Sequence, residues 1–344
     1  MCSADQWWYL ARTLFVDRRA YPLFSILFGF GMAIMASRTI ERERRFALDA
    51  LPPELSAGWN PVQWEIFRDR VERRAHRAAA RLIRRRGWWM LAFGLLHGIV
   101  FSGDIIGAYG LVAVIFAEVI VMRRAWARIL AGSLIATLSL MGITMGGAMM
   151  GREPMVLEYH GPMSLNAWYP LVSFGSWLVA TPATVLTALV VPCVMIGVGV
   201  ARWGFLQDPR GRGALLAGIA FGGLAFGALG GAPFALMQLD WAFSNSAAWS
   251  YPLFHASGVA GACGWLALLA LVGGGPREKL GTVCAFLSAI GRRSMTAYLS
   301  QTLLFILIFS VLGACGVRSL GVAVSGLIAA GVWALIGLGC VIAE

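Results

Sequence analysis

The sequence predicts an all-α, polytopic membrane protein in which residues 1–344 form a single membrane domain. Three observations predict it. Hydrophobic residues make up 59% of the 344 and charged residues only 13%, against about 25% charge in a soluble chain, and mean hydropathy is +0.73. Apolar runs recur along the whole chain, many of them near the ~20 residues that a bilayer crossing needs. The remaining charges fall into short blocks, and every second block is basic. Such a composition excludes most soluble enzyme classes, disorder and collagen-like repeats.

About nine spans follow, in order. The first covers residues 20–37, and the next two cover 87–103 and 105–117, separated only by Asp104. The fourth covers 129–151. The run 161–201 is too long for one helix, and because its start is aromatic and punctuated by Pro, the fifth span is placed near 180–200. Residues 213–235, 253–273, 294–317 and 319–343 complete the set. The loop after span one holds 13 Arg within 38–86. Later basic loops carry Arg123, Arg124 and Arg128, then Arg202, Arg210 and Arg212, then Arg277, Lys279, Arg292 and Arg293. The alternate loops carry Asp104, then Arg152 with Glu153 and Glu158, then Asp240, then Arg318. Because basic loops stay in the cytoplasm, this alternation places the N-terminus outside and the C-terminus inside. Arg12, Arg18 and Arg19 at an outside N-terminus go against that rule, which points to a missing upstream span. Met1–Gln6 is polar, so no cleavable signal is expected.

The cytoplasmic segment 38–86 contains an apolar stripe, Trp64, Phe67, Val71, Ala75, Ala78 and Leu82, at three- or four-residue steps, among nine Arg between Arg68 and Arg86. It reads as a basic amphipathic helix lying on the anionic inner leaflet. The net charge of +11 is thus topogenic, and no nucleic-acid partner is expected. The six Cys are scattered, without a C-x-x-C or Cys/His cluster, so neither a disulfide framework nor a metal site is expected. The Gly-rich span near Gly222–Gly231 lacks a following Lys-Ser/Thr and suits close helix packing rather than phosphate binding.

Polar groups inside a membrane are costly and mark function. His97 lies in span two, and Asp104 follows seven residues later. Seven residues is ~700° of helix, which puts both on one face if the helix continues and at one mouth if Gly103 breaks it. A His whose tautomer is set by a carboxylate can serve as a general base. The pair is expected to line a cavity open to the outer side, within reach of His255, which could assist. His160 reads as a solvated loop residue, Glu118 as a structural partner of Arg123 or Arg124, and Thr296, Ser300 and Gln301 as interhelical hydrogen-bonding groups.

Three segments together carry a resemblance. The first is Arg19-Ala20-Tyr21-Pro22-Leu23-Phe24-Ser25, continuing to Gly29-Phe30-Gly31. The second is Gly94-Leu95-Leu96-His97-Gly98 with Gly103-Asp104 and Tyr109-Gly110-Leu111. The third is Gly291-Arg292 with Ser294, Thr296, Tyr298-Leu299 and Gln301-Thr302. In this order and spacing they resemble the YeiB-like family of bacterial inner-membrane proteins, whose C-terminal region is a domain of unknown function (418). The resemblance spans roughly residues 15–310. It implies about ten helices, and a fold similar to transmembrane acyltransferases that move an acyl group from cytoplasmic acyl-CoA to an acceptor on the far side. The family's opening helix and its tail are absent here, and Arg293 and Ala297 stand where Met and Asn are usual.

The expected function is therefore an acyltransferase-like enzyme, with His97, Asp104 and His255 catalytic and Arg19, Tyr109, Tyr298 and Gln301 contacting substrate. No cofactor is tightly bound. Acyl-CoA is the donor, a small molecule or a lipid or sugar the acceptor, and the bilayer a partner, with a homodimer open. The alternatives are a small-molecule transporter and a non-catalytic membrane partner.

Overall fold

A computed structural model describes residues 3–149, 159–160, 168–204, 206, 209, 211–275, 281–317 and 319–343. The predicted Arg152, Glu153, Glu158, Arg210, Arg277, Lys279 and Arg318 lie outside the described residues, and His160 is described only by its backbone, which pairs with Ser319. The chain is all-α. Its helices are α1 (Ser3–Phe15), α2 (Ala20–Asp49), α3 (Pro53–Ser56), α4 (Pro61–Gly98), α5 (Ile106–Ile115), α6 (Ala117–Val121), α7 (Ala125–Met149), α8 (Tyr169–Thr187), α9 (Val190–Trp203), α10 (Gly213–Gln238), α11 (Ala247–Gly273), α12 (Thr282–Arg292), α13 (Ser294–Ala314) and α14 (Val322–Ile342). The antiparallel pair β1 (Tyr159–His160) and β2 (Ser319–Leu320) is the strand content of the described residues.

Among the described residues, seven helical stretches are long and apolar enough to cross a membrane: α1 with α2, then α7, α8, α10, α11, α13 and α14. The remaining apolar stretches are shorter, as in α5 and α9, or sit on a basic stem, as in α4. The run 161–201 holds two helices rather than one span near 180–200. Pro192 explains the break: its ring clashes with the carbonyl four residues back, so α8 ends at Thr187 and Leu189 turns the chain with φ +58° before α9.

The amphipathic segment forms the first part of a long helix. Asn60 caps α4 through a reciprocal bond with Gln63, each at 2.9 Å, and the helix then runs 38 residues to Gly98, about 57 Å at 1.5 Å per residue. No Pro interrupts it after Pro61, and sharp kinks need such a cause. The basic half therefore continues the axis of the apolar half as one helix. Of its apolar stripe only Ala75 is fully buried, at 0% exposure, while Trp64, Phe67, Val71, Ala78 and Leu82 stay half-buried; it is the neighbouring Ala79, Ala80 and Ile83 that join Met32, Ala33 and Ala36 of α2 in the core. Trp59, Trp64 and Phe67 pack on one another at 5.1–6.1 Å.

Helix α2 is central, packed against α9 on one side and α4 on the other. Glycines let the α2–α9 crossing close: a Cβ on Gly29 would lie 2.0 Å from the Val194 carbonyl oxygen, and one on Gly197 1.9 Å from that of Ile26. The α10–α11 interface is built likewise from Gly223, Gly227 and Gly230 against Ser257, Gly261 and Gly264. Arg19, 1% exposed, pins the α1–α2 turn to this pair. Its guanidinium donates to the carbonyls of Thr13 (2.7 Å) and Asp17 (2.6 Å) and to that of Gly227, and lies over the Phe254 ring.

Candidate functional site

The chain leaves α4 at Gly98, turns, and re-enters helix at Ile106. This turn, not a shared helix face, brings His97 and Asp104 together. His97 Nδ1 lies 2.8 Å from Asp104 Oδ1. A carboxylate can only accept, so the bond puts a proton on Nδ1, and in the neutral ring Nε2 is then an acceptor. Nε2 lies 3.0 Å from the Thr302 hydroxyl of α13, which then donates to it. The result is a carboxylate–imidazole–hydroxyl line drawn from three elements.

Asp104 is held from its other side. Its Oδ2 accepts from the Gly107 N–H at 2.7 Å, which caps the first turn of α5, and from Trp177 Nε1 of α8 at 3.3 Å. Tyr169, Ser173 and Trp177 recur at four-residue steps on α8. Tyr169 and Ser173 donate to the carbonyls of Val100 (2.9 Å) and Gly98 (2.8 Å), which the helix end would otherwise leave unpaired. The Trp177 ring lies so close that a Cβ on Gly98 would meet it at 2.4 Å and one on Gly107 at 2.5 Å. Tyr298 packs edge-on against His97 at 5.2 Å and interacts with Asp104.

Not all predicted site residues join this group. His255, 4% exposed, bonds to the Tyr251 carbonyl at 2.9 Å within its own helix and packs on the Tyr251 ring at 4.3 Å. Arg18 approaches the same Tyr251 hydroxyl at 3.5 Å. Arg19 is engaged by carbonyls, as above. The Tyr109 hydroxyl meets Ser25 (3.3 Å) and the Tyr21 carbonyl (3.4 Å), and its ring stacks on Phe28. Gln301 is half-buried beside Thr302. Trp177 was not singled out by sequence reasoning, and Thr302 stood in the third resembling segment without an assigned role. The four-residue stripe on α8 was the available signal for Trp177.

His97 is 8% and Asp104 6% exposed, so both are buried. Among the described residues, several cavities lie at the Arg-rich end. A groove of about 570 Å³ runs along α2 to Arg38, Arg42 and Arg86. A cleft of about 660 Å³ is lined by Arg70, Arg73, Arg74, Arg77, Arg81 and Arg84 with Glu118. A pocket of about 360 Å³ includes Arg44, His76, Arg123 and Arg202. None of the three is lined by His97, Asp104 or His255. Beside the pocket, Glu72 pairs with Arg44 at 2.6 Å and approaches His76 at 3.5 Å and Arg123 at 3.6 Å. Burial pushes its carboxyl up, but the Arg44 bond and the charges around it prevail and lower its pKa. Glu118 pairs with Arg84 at 3.2 Å rather than with Arg123 or Arg124.

Residues 200–342 match the model of a family described as "Protein of unknown function (DUF418)". No curated protein and no solved structure matches the chain. The matched segment begins in the last turn of α9 and runs through α14, so it contains His255, Tyr298, Gln301 and Thr302, while His97 and Asp104 precede it.

Proposed function

We propose that the chain is a membrane-embedded group-transfer enzyme of the acyltransferase kind, with His97 as general base and Asp104 as the group that orients it. The observation that carries this reading is the 2.8 Å bond from His97 Nδ1 to Asp104, with the opposite ring nitrogen aimed at a hydroxyl. A base so held takes a proton from an acceptor hydroxyl or amine as that group attacks the thioester carbonyl, and the tetrahedral adduct then breaks its C–S bond and releases the CoA thiol, which takes the proton back from the imidazolium. The Thr302 hydroxyl marks where the acceptor's hydroxyl sits in the working complex. Tyr298 borders that position.

Acyl-CoA is the donor in this reading, and a lipid, sugar or other small molecule is the acceptor. The cleft of six guanidiniums attracts the donor's phosphates. Arg84 and His97 are 13 residues apart on α4, about 20 Å, so the acyl group is delivered along the helix rather than handed over at the cleft. Helix α13 is suited to move aside: of its 21 residues, only Ala297 is buried. Its displacement would uncover Nε2. The Arg-rich end faces the cytoplasm of a bacterial inner membrane, following the charge rule, and His97 serves the far side.

The test supplies radiolabelled acetyl-CoA to sealed vesicles and follows label into extractable lipid and sugar fractions. Wild type transfers label, and His97→Gln, which keeps a hydrogen bond but no base, loses nearly all of it. Undiminished transfer by His97→Gln would refute the role of His97. Solute flux across wild-type vesicles without label transfer would move the assignment to a transporter.

A further inference from the structure

The groove along α2 differs from the other basic cavities. No apolar residue lines the six-Arg cleft, whereas the groove carries Leu27, Gly31 and Met35 on one helical face and ends at Arg38, Arg42 and Arg86. From Leu27 to Met35 is eight residues, about 12 Å of helix rise, close to the ~15 Å depth of one leaflet in a ~30 Å hydrocarbon core. Leu27 stands near the middle of the apolar run 20–37, so the three guanidiniums suit the headgroup level of that leaflet. Their charge is poorly compensated. Among the described residues, no carboxylate lies within 4.0 Å of Arg38 or Arg86, and Arg42 approaches only Glu43, at 3.9 Å. Arg86 makes instead a 3.7 Å contact with the Met35 sulfur. Like charges converging on one cavity wall call for an anion, and an apolar slot of leaflet depth below them calls for a hydrocarbon chain.

We propose that this groove holds one anionic phospholipid of the leaflet at the Arg-rich end. Its phosphate sits among Arg38, Arg42 and Arg86, and one acyl chain lies along α2 from Met35 to Leu27. The lipid completes the α2–α4 surface at the point where both helices leave the bilayer. This site is independent of the His97 centre.

The test reconstitutes the protein in vesicles of equimolar dioleoyl-phosphatidylglycerol and dioleoyl-phosphatidylcholine, extracts it into detergent, and counts retained lipid by native mass spectrometry. Wild type retains one phosphatidylglycerol in preference to phosphatidylcholine. Arg38→Gln with Arg86→Gln lowers that retention by about tenfold or more, since two charge contacts are lost. Gly31→Leu lowers it too while leaving every charge in place. A Cβ at Gly31 meets nothing within 4 Å, so the larger side chain fills the slot without straining the fold. Arg70→Gln with Arg74→Gln, in the other cleft, leaves retention unchanged. Equal retention of the two lipids, an equal loss in the Arg70/Arg74 variant, or full retention in Gly31→Leu would overturn the proposal. So would one-for-one displacement of phosphatidylglycerol by equimolar palmitoyl-CoA, which would reassign the groove to an acyl donor.

Discussion

Replacing Asp104 separates its two tasks, because three donors converge on one carboxylate: His97 Nδ1 at 2.8 Å, the Gly107 N–H at 2.7 Å and Trp177 Nε1 at 3.3 Å. Asp104→Ala leaves all three without that acceptor. A buried unpaired donor costs about 1–3 kcal/mol, so the three sum to roughly 4–5 kcal/mol with the long Trp177 bond at the low end. Removing a buried carboxylate relieves its desolvation and offsets part of this, leaving a net loss of about 2–4 kcal/mol. Asp104→Asn keeps an acceptor oxygen for Gly107 and the shape that Trp177 packs on, and should cost about 1 kcal/mol or less. Its amide donates towards Nδ1, however, so the ring must adopt the opposite tautomer and Nε2 ceases to be an acceptor. The Asn variant should therefore fold nearly as well as wild type and transfer almost nothing. Denaturant titration in mixed micelles, followed by the thiol accessibility of Cys193, which is 0% exposed, measures the stability half. An Ala variant within about 1 kcal/mol of wild type, or an Asn variant as unstable as the Ala variant, would refute the three-donor account.

Three further outcomes are expected. Gly107→Ala should destabilise by about 1–3 kcal/mol, the usual range for overpacking, because its Cβ would lie 2.5 Å from Trp177; Trp177→Leu in the same chain should recover part of the loss in the same titration. Glu72 has a lowered pKa, so its pairing with Arg44 contributes stability above the unfolded-state value near 4.5 and loses it as pH falls through the depressed folded-state value. Glu72→Gln should flatten that acid limb of the stability–pH curve, and an unchanged limb would assign it to other carboxylates. Ala50, exposed after the end of α2, should resist an impermeant thiol reagent in intact cells when replaced by Cys, and react after lysis; labelling from outside would invert the topology.

The bilayer-crossing character was legible because hydropathy and the placement of Arg are local properties, and both survive in α2, α7, α10, α11, α13 and α14. What escaped was set by backbone geometry and by tertiary contact. Pro192 divides α8 from α9 inside an unbroken apolar run, where hydropathy carries no mark of it. Beside the stripe of α4, Ala79, Ala80 and Ile83 pack on α2, a contact that the period of the stripe does not mark. His97 and Asp104 could be paired because seven residues separate them. Thr302 is 205 residues from His97, and Trp177 is 73 from Asp104, and no periodicity links such positions. His255 had the same intramembrane signal as His97, but its partner is the Tyr251 carbonyl of its own helix, which illustrates that costly burial demands a partner without specifying which.

The nitrogen-15 spectrum of histidine-labelled protein in lipid nanodiscs addresses the role of His97 without any need to know the substrate. The chain has four His, and the His97 signals are identified by their disappearance in His97→Gln. The proposed role predicts a proton-bearing Nδ1 held by Asp104 and an Nε2 resonance in the acceptor range, with the two exchanged in Asp104→Asn. A wild-type spectrum with the proton on Nε2 would leave no base facing Thr302 and would contradict the role assigned to His97.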